Sequence, residues 1–341
     1  MKKLRVLLLV HEDLVPPQEA KPRDEVEAAP WRTEYDVDKT LRKLGHDVQV
    51  LGVATDLGVI GKAIEQFKPQ IAFNLLEEFH GFGAYDQHVV SFLELMKLPY
   101  TGCNPRGLTL ARDKALTKKI MAYHRIRVPA FAVFPLNRAI KRPPRLQFPL
   151  LIKSITEHGS VGISQASIVH DDEKLRERVE FIHRKLGTYA IAEQYIEGRE
   201  LYVSVMGNSR LQVFPIWEMV FSKMPDDAPR IATDKAKWDR AYQKRWGIDS
   251  GPASDLPENK AKEIANLARR IFRLLHLSGY ARVDLRMTPE GKVYLIEANP
   301  NPQVANGEDF ADSAKAAGLE YDKLLERILS LGLSYEALGL A

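Results

Sequence analysis

Arg282-Val283-Asp284-Leu285-Arg286 and Val293-Tyr294-Leu295-Ile296-Glu297-Ala298-Asn299-Pro300-Asn301-Pro302 are two apolar, strand-like runs joined through Thr288-Pro289-Glu290-Gly291, a turn signal. Arg282 and Asp284 alternate with Val283 and Leu285, so they share one strand face. Glu297 lies on the partner run and Asn299 follows it. Whether Glu297 faces the same way as Asp284 depends on the pairing register, which the residues leave open. Charged groups inside apolar strands are costly unless they are paired or bind metal. Hard oxygen ligands suit Mg2+, which usually takes one or two carboxylates and leaves other positions to water and substrate phosphates. The hairpin is therefore a candidate floor for a nucleotide-phosphate site. A surface hairpin with charged alternation is the competing reading. An acid closing an apolar run, followed by an amide and a proline, speaks against it.

Working outward, 341 residues allow two or three domains and a substantial core. The chain is 45% hydrophobic and 28% charged, ordinary for a soluble globular enzyme. A net charge of +4 is too weak to argue for nucleic acid. Lys141-Arg142-Pro143-Pro144-Arg145 is a local basic cluster, read as a solvated linker. Cys103 is the only cysteine, which excludes an internal disulfide and disfavours a cysteine metal site. Met1-Lys2-Lys3 and the apolar run 4–10 imitate a signal peptide, but no small-residue cleavage pattern precedes His11-Glu12-Asp13. A first strand is the better reading. No run approaches the roughly 18 apolar residues of a membrane span. The expectation is a cytoplasmic protein with no nucleic-acid or membrane partner.

Strands at 4–10, 47–53 and 71–75 alternate with helices at 35–44 and 60–67, which predicts a Rossmann-like parallel α/β domain over residues 1–112. Its remaining pieces are a charged, proline-rich loop at 11–31, a helix at 87–96 and a short strand at 99–102. A central unit spans 113–192, with helices at 114–124 and 171–186 and strands at 129–134, 150–154, 161–168 and 190–195. The third unit, 193–341, has strands at 200–206 and 211–217, an irregular polar region at 221–257, a long helix at 258–275, the acid-bearing hairpin and a terminal helical region.

Four further stretches carry chemistry. Lys153 ends a buried strand, and Gly159-Ser160-Val161-Gly162 beyond it can turn backbone N–H groups onto anionic oxygens. No helix-opening GxxxxGK[ST] accompanies it, and a glycine turn with a surface lysine is the alternative. In Glu193-Gln194-Tyr195-Ile196-Glu197-Gly198-Arg199-Glu200 a strand ends and restarts. Free backbone groups at such a break can bond an adenine edge, with Glu193 a candidate for the amino group and Glu200 for ribose hydroxyls; a solvated acidic loop is the alternative. Phe79-His80-Gly81-Phe82-Gly83-Ala84-Tyr85-Asp86 is a glycine-rich turn before a helix, read either as an anion site or as a turn with a structural histidine. Lys237 sits in the long polar region, where a lid or a solvated basic loop are both open readings.

Together these residues resemble the D-alanine–D-alanine ligase family of the ATP-grasp superfamily over nearly the whole chain, most strongly from 71 to 302. The resemblance implies an α/β (α+β) ATP-grasp fold. It implies ATP and two Mg2+ ions, with Mn2+ as a substitute. Lys114, Lys153 and Gly159 match its ATP-phosphate contacts, and Glu193, Tyr195, Ile196, Glu200 and Ile296 its nucleotide segment. Ser160 and Lys237 match the catalytic lid, Arg282 the arginine at the reaction centre, and Asp284, Glu297 and Asn299 the metal ligands. The implied reaction phosphorylates a small-molecule carboxylate, and an amine then attacks the acyl phosphate to give an amide, ADP and phosphate. A homodimer is compatible with the resemblance. The alternative is a nucleotide-binding homologue without catalysis, acting as a sensor or partner; an arginine kept at a reaction centre argues against it.

Departures lie in the substrate regions. A lid serine of the family is matched by Gly159, and the mobile-loop tyrosine that bonds it by Trp238. After Asn299 the family's Ser-Pro-Gly-Met-Thr is replaced by Asn301-Pro302-Gln303-Val304-Ala305, and a later substrate-contacting serine is matched by Glu308. An acid there repels a free carboxylate, so the expected amine substrate is not D-alanine.

Overall fold

The computed structural model describes residues 2–157, 159–225 and 228–337, which build three sheets. The first joins β1 (Arg5–His11), β2 (Asp47–Val53) and β3 (Ile71–Asn74) in parallel, in the order β2-β1-β3. Residues 6–10 are fully buried because both faces are covered, as parallel sheets require. Leu7 and Leu9 pack with Ile60 and Val89 on one side, and Val6 and Leu8 pack with Leu41 and Ile328 on the other. The expected strand at 99–102 reduces to a single bridge between Ala72 and Tyr100. The expected loop at 11–31 contains a 3-10 turn, Glu12–Leu14, and a helix, Arg23–Ala28. Pro22 stands just ahead of that helix, where a proline does not interrupt it.

The second sheet is antiparallel: β4 (Phe131–Phe134), β5 (Leu150–Ser154), β6 (Ile168–Val169) and β7 (Ala190–Gln194), in the order β4-β7-β5-β6. Helix Asp172–Leu186 packs on it through Leu175, Val179 and Ile182, spaced for one helix face. Asp171 caps its start, and Gly187 ends it in the left-handed region. The strand expected at 161–168 is mostly turn. Ser160 and Gly162 take φ of 66° and 72°, which breaks extension, and only Ile168–Val169 pairs.

The third sheet holds β8 (Arg199–Met206), β9 (Gln212–Val213), β10 (Trp217–Phe221), β11 (Ile248–Pro252), β12 (Tyr280–Met287) and β13 (Val293–Asn299). Its order is β11-β10-β8-β12-β13, with β9 beside β8 and every pairing antiparallel. Helix Glu258–Leu274 buries Ile264, Ala268, Ile271 and Phe272 in the core that backs this sheet. The strand expected at 211–217 divides into β9 and the start of β10. The region expected to be irregular contains two short helices, Asp234–Trp238 and Arg240–Trp246, and β11. Ala236, Tyr242 and Trp246 pack there with Met219, Phe221 and Ile248. These elements are too short for hydrophobic periodicity to reveal them. Cys103 is buried, and burial pushes its thiol up to about 12. Among the described residues no helix is long and apolar enough to cross a membrane.

Candidate functional site

The hairpin register settles which residues share a face. Asp284 pairs with Glu297 and Arg282 with Asn299. A β-bulge follows, so that Leu285 pairs with Leu295 and Ile296 is the extra residue. The bulge changes the phase of β13: Val293, Leu295 and Ala298 all reach the core, while Glu297 and Asn299 face the opposite side. On the other flank β8 sets Glu200 beside Arg286 and Tyr202 beside Asp284. A polar face therefore crosses three apolar strands.

Its charges are matched. Arg282 donates from Nε and Nη2 to the two oxygens of Asp284, at 2.8 and 2.9 Å, and its guanidinium lies 4.5 Å from the centre of the Tyr202 ring. Burial pushes Asp284 toward its neutral form and Arg282 only partly offsets this, so its carboxyl stays above the ordinary value. Arg286 pairs with Glu200 at 2.9 Å, donates to the Ile196 carbonyl at 2.7 Å and to the Arg230 carbonyl, and stands over the Tyr195 ring. Burial opposes the charge on Glu200, but Arg286 outweighs it and holds the carboxyl below its ordinary value.

Lysines converge from the central unit. Asp113 caps helix Lys114–Tyr123 by accepting from Ala115 N and Leu116 N, which puts Lys114 in the first turn. Its Nζ lies 3.7 Å from Glu297 and donates to the Glu157 carbonyl. Lys118, one turn on, donates to the bulged Ile296 carbonyl at 2.7 Å. Lys118 and Lys153 approach Glu193 at 3.0 and 3.1 Å. Burial lowers Lys118 to about 8 and lowers Lys114 as well. Burial also opposes ionisation of Glu193, yet the two lysines hold it below the usual carboxylate range. Both Lys153 and Glu193 are buried, so the surface-lysine and solvated-loop alternatives fail.

The loop after β5 folds over this face. Ser160 Oγ donates to the Ala232 carbonyl at 2.6 Å, and Trp238 Nε1 donates to the Gly159 carbonyl at 3.3 Å. The paired substitutions at these two positions thus meet through a ring-to-backbone bond. Lys114, Lys237, Arg282, Asp284, Glu297 and Asn299 line one cleft of about 770 Å3 beneath that loop, together with Gly159 and Ser160. Lys153, Glu193, Tyr195, Ile196, Glu200 and Ile296 lie outside its lining; they sit with Lys118 and Arg286 in the polar network beside it. His80 is exposed in a tight turn closed by backbone bonds between Phe79 and Phe82, and the helix behind it begins with Asp86, paired to Arg112, so the turn is what the structure shows and the anion site gains no support. Glu308 is not a bare charge: Arg32 donates to it at 2.7 Å, which weakens the repulsion expected of it.

Two buried cations escape the sequence reading. Lys118 is signalled by its i+4 spacing from Lys114, and Arg286 by its place next in the alternation after Arg282 and Asp284. Two carboxylates and an amide are the donor set available to a metal, a hard set of the size Mg2+ takes alongside water and phosphate. Among the described residues no group of three His, Cys, Asp or Glu side chains forms a metal cluster.

Comparison with known proteins places this geometry. The model of the D-ala D-ala ligase C-terminus matches residues 121–330. A D-alanine–D-alanine ligase of Bordetella petrii is 32% identical over 256 residues, 74% of this chain and 73% of its own. An uncharacterized protein of Sinorhizobium fredii is 30% identical and covers 89% of this chain and 88% of its own. The crystal structure of the Bacillus anthracis D-alanine–D-alanine ligase complexed with ATP superposes with a TM-score of 0.73 at 22% identity, covering 97% of each chain. Sequence and fold agree that this chain belongs to the D-alanine–D-alanine ligase family and is an ATP-dependent, ADP-forming carboxylate–amine ligase of the ATP-grasp fold.

Proposed function

We propose that the chain activates a small, amino-acid-like carboxylate at the cleft above β12 and β13 and joins it to an amine other than D-alanine. The observation that carries this reading is the hairpin register, which sets Asp284 against Glu297 and Arg282 against Asn299 beside the cleft. Asp284, Glu297 and Asn299 would hold Mg2+, with Mn2+ as a substitute. When bound, the metal offsets the repulsion between the γ-phosphate and the carboxylate. Lys114 and Lys153, with Lys118 beside them, supply positive charge toward the phosphates. Tyr195, Ile196, Glu193, Glu200 and Ile296 form the nucleotide end, and Arg282 stabilises the oxyanion that develops as the amine attacks. Gly159, Ser160 and Lys237 close over the cleft and keep water from the acyl phosphate. The changed residues at Trp238, Asn301, Gln303 and Glu308 support an altered amine site. The division into units at 1–112, 113–192 and 193–341, a homodimer and a cytoplasmic setting belong to the same proposal; a lone buried thiol is in keeping with the last.

Phosphate release measured across D-amino acids, L-amino acids and polyamines tests the reading. Release should depend on both a carboxylate and an amine, and D-alanine alone should give little. Robust D-alanyl-D-alanine formation overturns the amine assignment. Asp284→Asn should abolish turnover while the circular dichroism spectrum stays native; full turnover in that variant removes the metal role.

A further inference from the structure

A second cavity, of about 420 Å3, opens off the cleft and shares Pro30, Thr33, Glu77, Asn301 and Gln303 with it. Small-molecule sites run roughly 300–1,000 Å3, so the space is ample for an amino acid with a long side chain. Its lining contains four carboxylates, those of Asp13, Glu34, Glu77 and Glu78, and no lysine or arginine. His11 stands 3.3 Å from Glu78 and 3.7 Å from Asp13. Glu34 and Glu77 form no salt bridge among the described residues.

Glu34 is the decisive residue. It projects from the first turn of helix Arg32–Lys43 and is only 5% exposed, yet its Oε2 has no hydrogen-bond partner among the described residues. A buried carboxylate oxygen left unpaired is costly unless a ligand completes it. Near the shared mouth, Asn301 presents the opposite need: its Nδ2 donor is buried and unpartnered. Asn301 N is itself tied to Asn299 Oδ1 at 2.9 Å, so this free donor lies next to the proposed metal end of the cleft. An acceptor group of the ligand belongs at Asn301 and cationic groups belong at the acids. Burial first, with the Glu77 charge adding to it, raises Glu34 to about 7, so a ligand cation that restores its ionisation gains there.

We propose that this cavity is the site of the carboxylate-donating substrate, and that the substrate is a dibasic amino acid whose carboxylate meets Asn301 and whose two cationic nitrogens are taken by Glu34 and Glu77. A single ammonium would answer Glu34, the buried acid, and leave Glu77, exposed at the shared mouth, without a salt bridge among the described residues. The proposal rests on the ligase reading for the fate of the carboxylate, but the binding itself does not.

Isothermal titration of the full chain with lysine, ornithine and norleucine, each as both enantiomers, tests it. Norleucine matches lysine in shape and lacks only the terminal amine. Lysine or ornithine should bind at least tenfold tighter than norleucine of the same hand; of Glu34→Gln and Glu77→Gln, the one facing the terminal amine should bring that ratio close to one, and the one facing the α-ammonium should weaken lysine and norleucine alike. Equal affinity of lysine and norleucine for the native chain overturns the proposal whether or not the variants fold. A ratio unchanged in both folded variants also overturns it. ADP release measured alongside separates the two readings. Release driven by alanine without any preference for lysine sinks the dibasic substrate and leaves the ligase standing. Tight lysine binding with no ADP release under any amine sinks the ligase reading and leaves the cavity assignment intact.

Discussion

Arg286 shows how much one side chain holds in place. Its guanidinium spans the Ile196 carbonyl, the Glu200 carboxylate and the Arg230 carbonyl, and so ties the end of the Tyr195–Ile196 segment to the polar loop ahead of helix Asp234–Trp238. Replacing Arg286 by leucine leaves Glu200, among the described residues, with the Tyr202 hydroxyl at 2.9 Å as its side-chain hydrogen-bond partner. Removing one member of a buried pair costs about 3–5 kcal/mol. The urea midpoint of Arg286→Leu should fall accordingly, and nucleotide affinity should fall with it; a midpoint matching the native chain contradicts the clamp. At this scale the sequence speaks clearly where chemistry and alternation coincide, as at Arg282 and Asp284. It is silent on register, because a one-residue slip or a bulge reverses the face of every later side chain. The bulge at Ile296 could not be read from residue types, although Glu297 depends on it. Glu34 is silent for another reason: an acid in the first turn of a helix is an ordinary helix-dipole partner, and only its burial marks it out.

Among the elements, the loop after β5 and helix Asp234–Trp238 are bonded into one unit, to which the proposed function gives the closing role. Two bonds hold them together, Ser160 to Ala232 and Trp238 to Gly159, and Asp234 N adds a backbone bond to the Ile163 carbonyl at 3.1 Å. The double variant Ser160→Ala with Trp238→Phe removes both side-chain bonds and keeps the apolar ring. It should raise phosphate release without amine relative to ligation, since water gains entry. Comparing phosphate with amide product checks this, and an unchanged ratio denies the loop its shielding role. Long, periodic elements such as helices Asp172–Leu186 and Glu258–Leu274 were legible to within a residue or so, because burial and capping leave regular marks. The closing unit was not. Its helices run five and seven residues, and its turns rest on left-handed backbone at Ser160, which residue identity does not announce.

For the whole molecule, the unpaired acids set a pH dependence. Glu34 titrates at about 7 in the folded chain against an ordinary 4.5. Between those values the folded chain holds more protons than the unfolded one, so stability falls as pH rises, and the penalty is complete above 7. Glu77 acts in the same direction. Glu34→Gln should therefore melt higher than the native chain at pH 8, by an amount up to about 3 kcal/mol, and show no gain near pH 4. Thermal melts across that range decide it; a gain that is constant with pH points to packing instead. The parallel first sheet and the acid-bearing hairpin were legible because alternation and chain order encode them, whereas the central sheet was read only as separate strands without their antiparallel pairing. The cavity between the first sheet and the hairpin was not legible, since its walls come from residues some 270 positions apart, such as Glu34 and Gln303.

The burial of Cys103 has a practical consequence. With the chain's one native thiol shut away and reluctant to ionise, thiol-alkylating dyes have no ready endogenous target. Val161→Cys, at an exposed point of the loop after β5, would carry the sole accessible thiol, so a fluorophore placed there can test in real time whether that loop moves, on an otherwise unaltered protein.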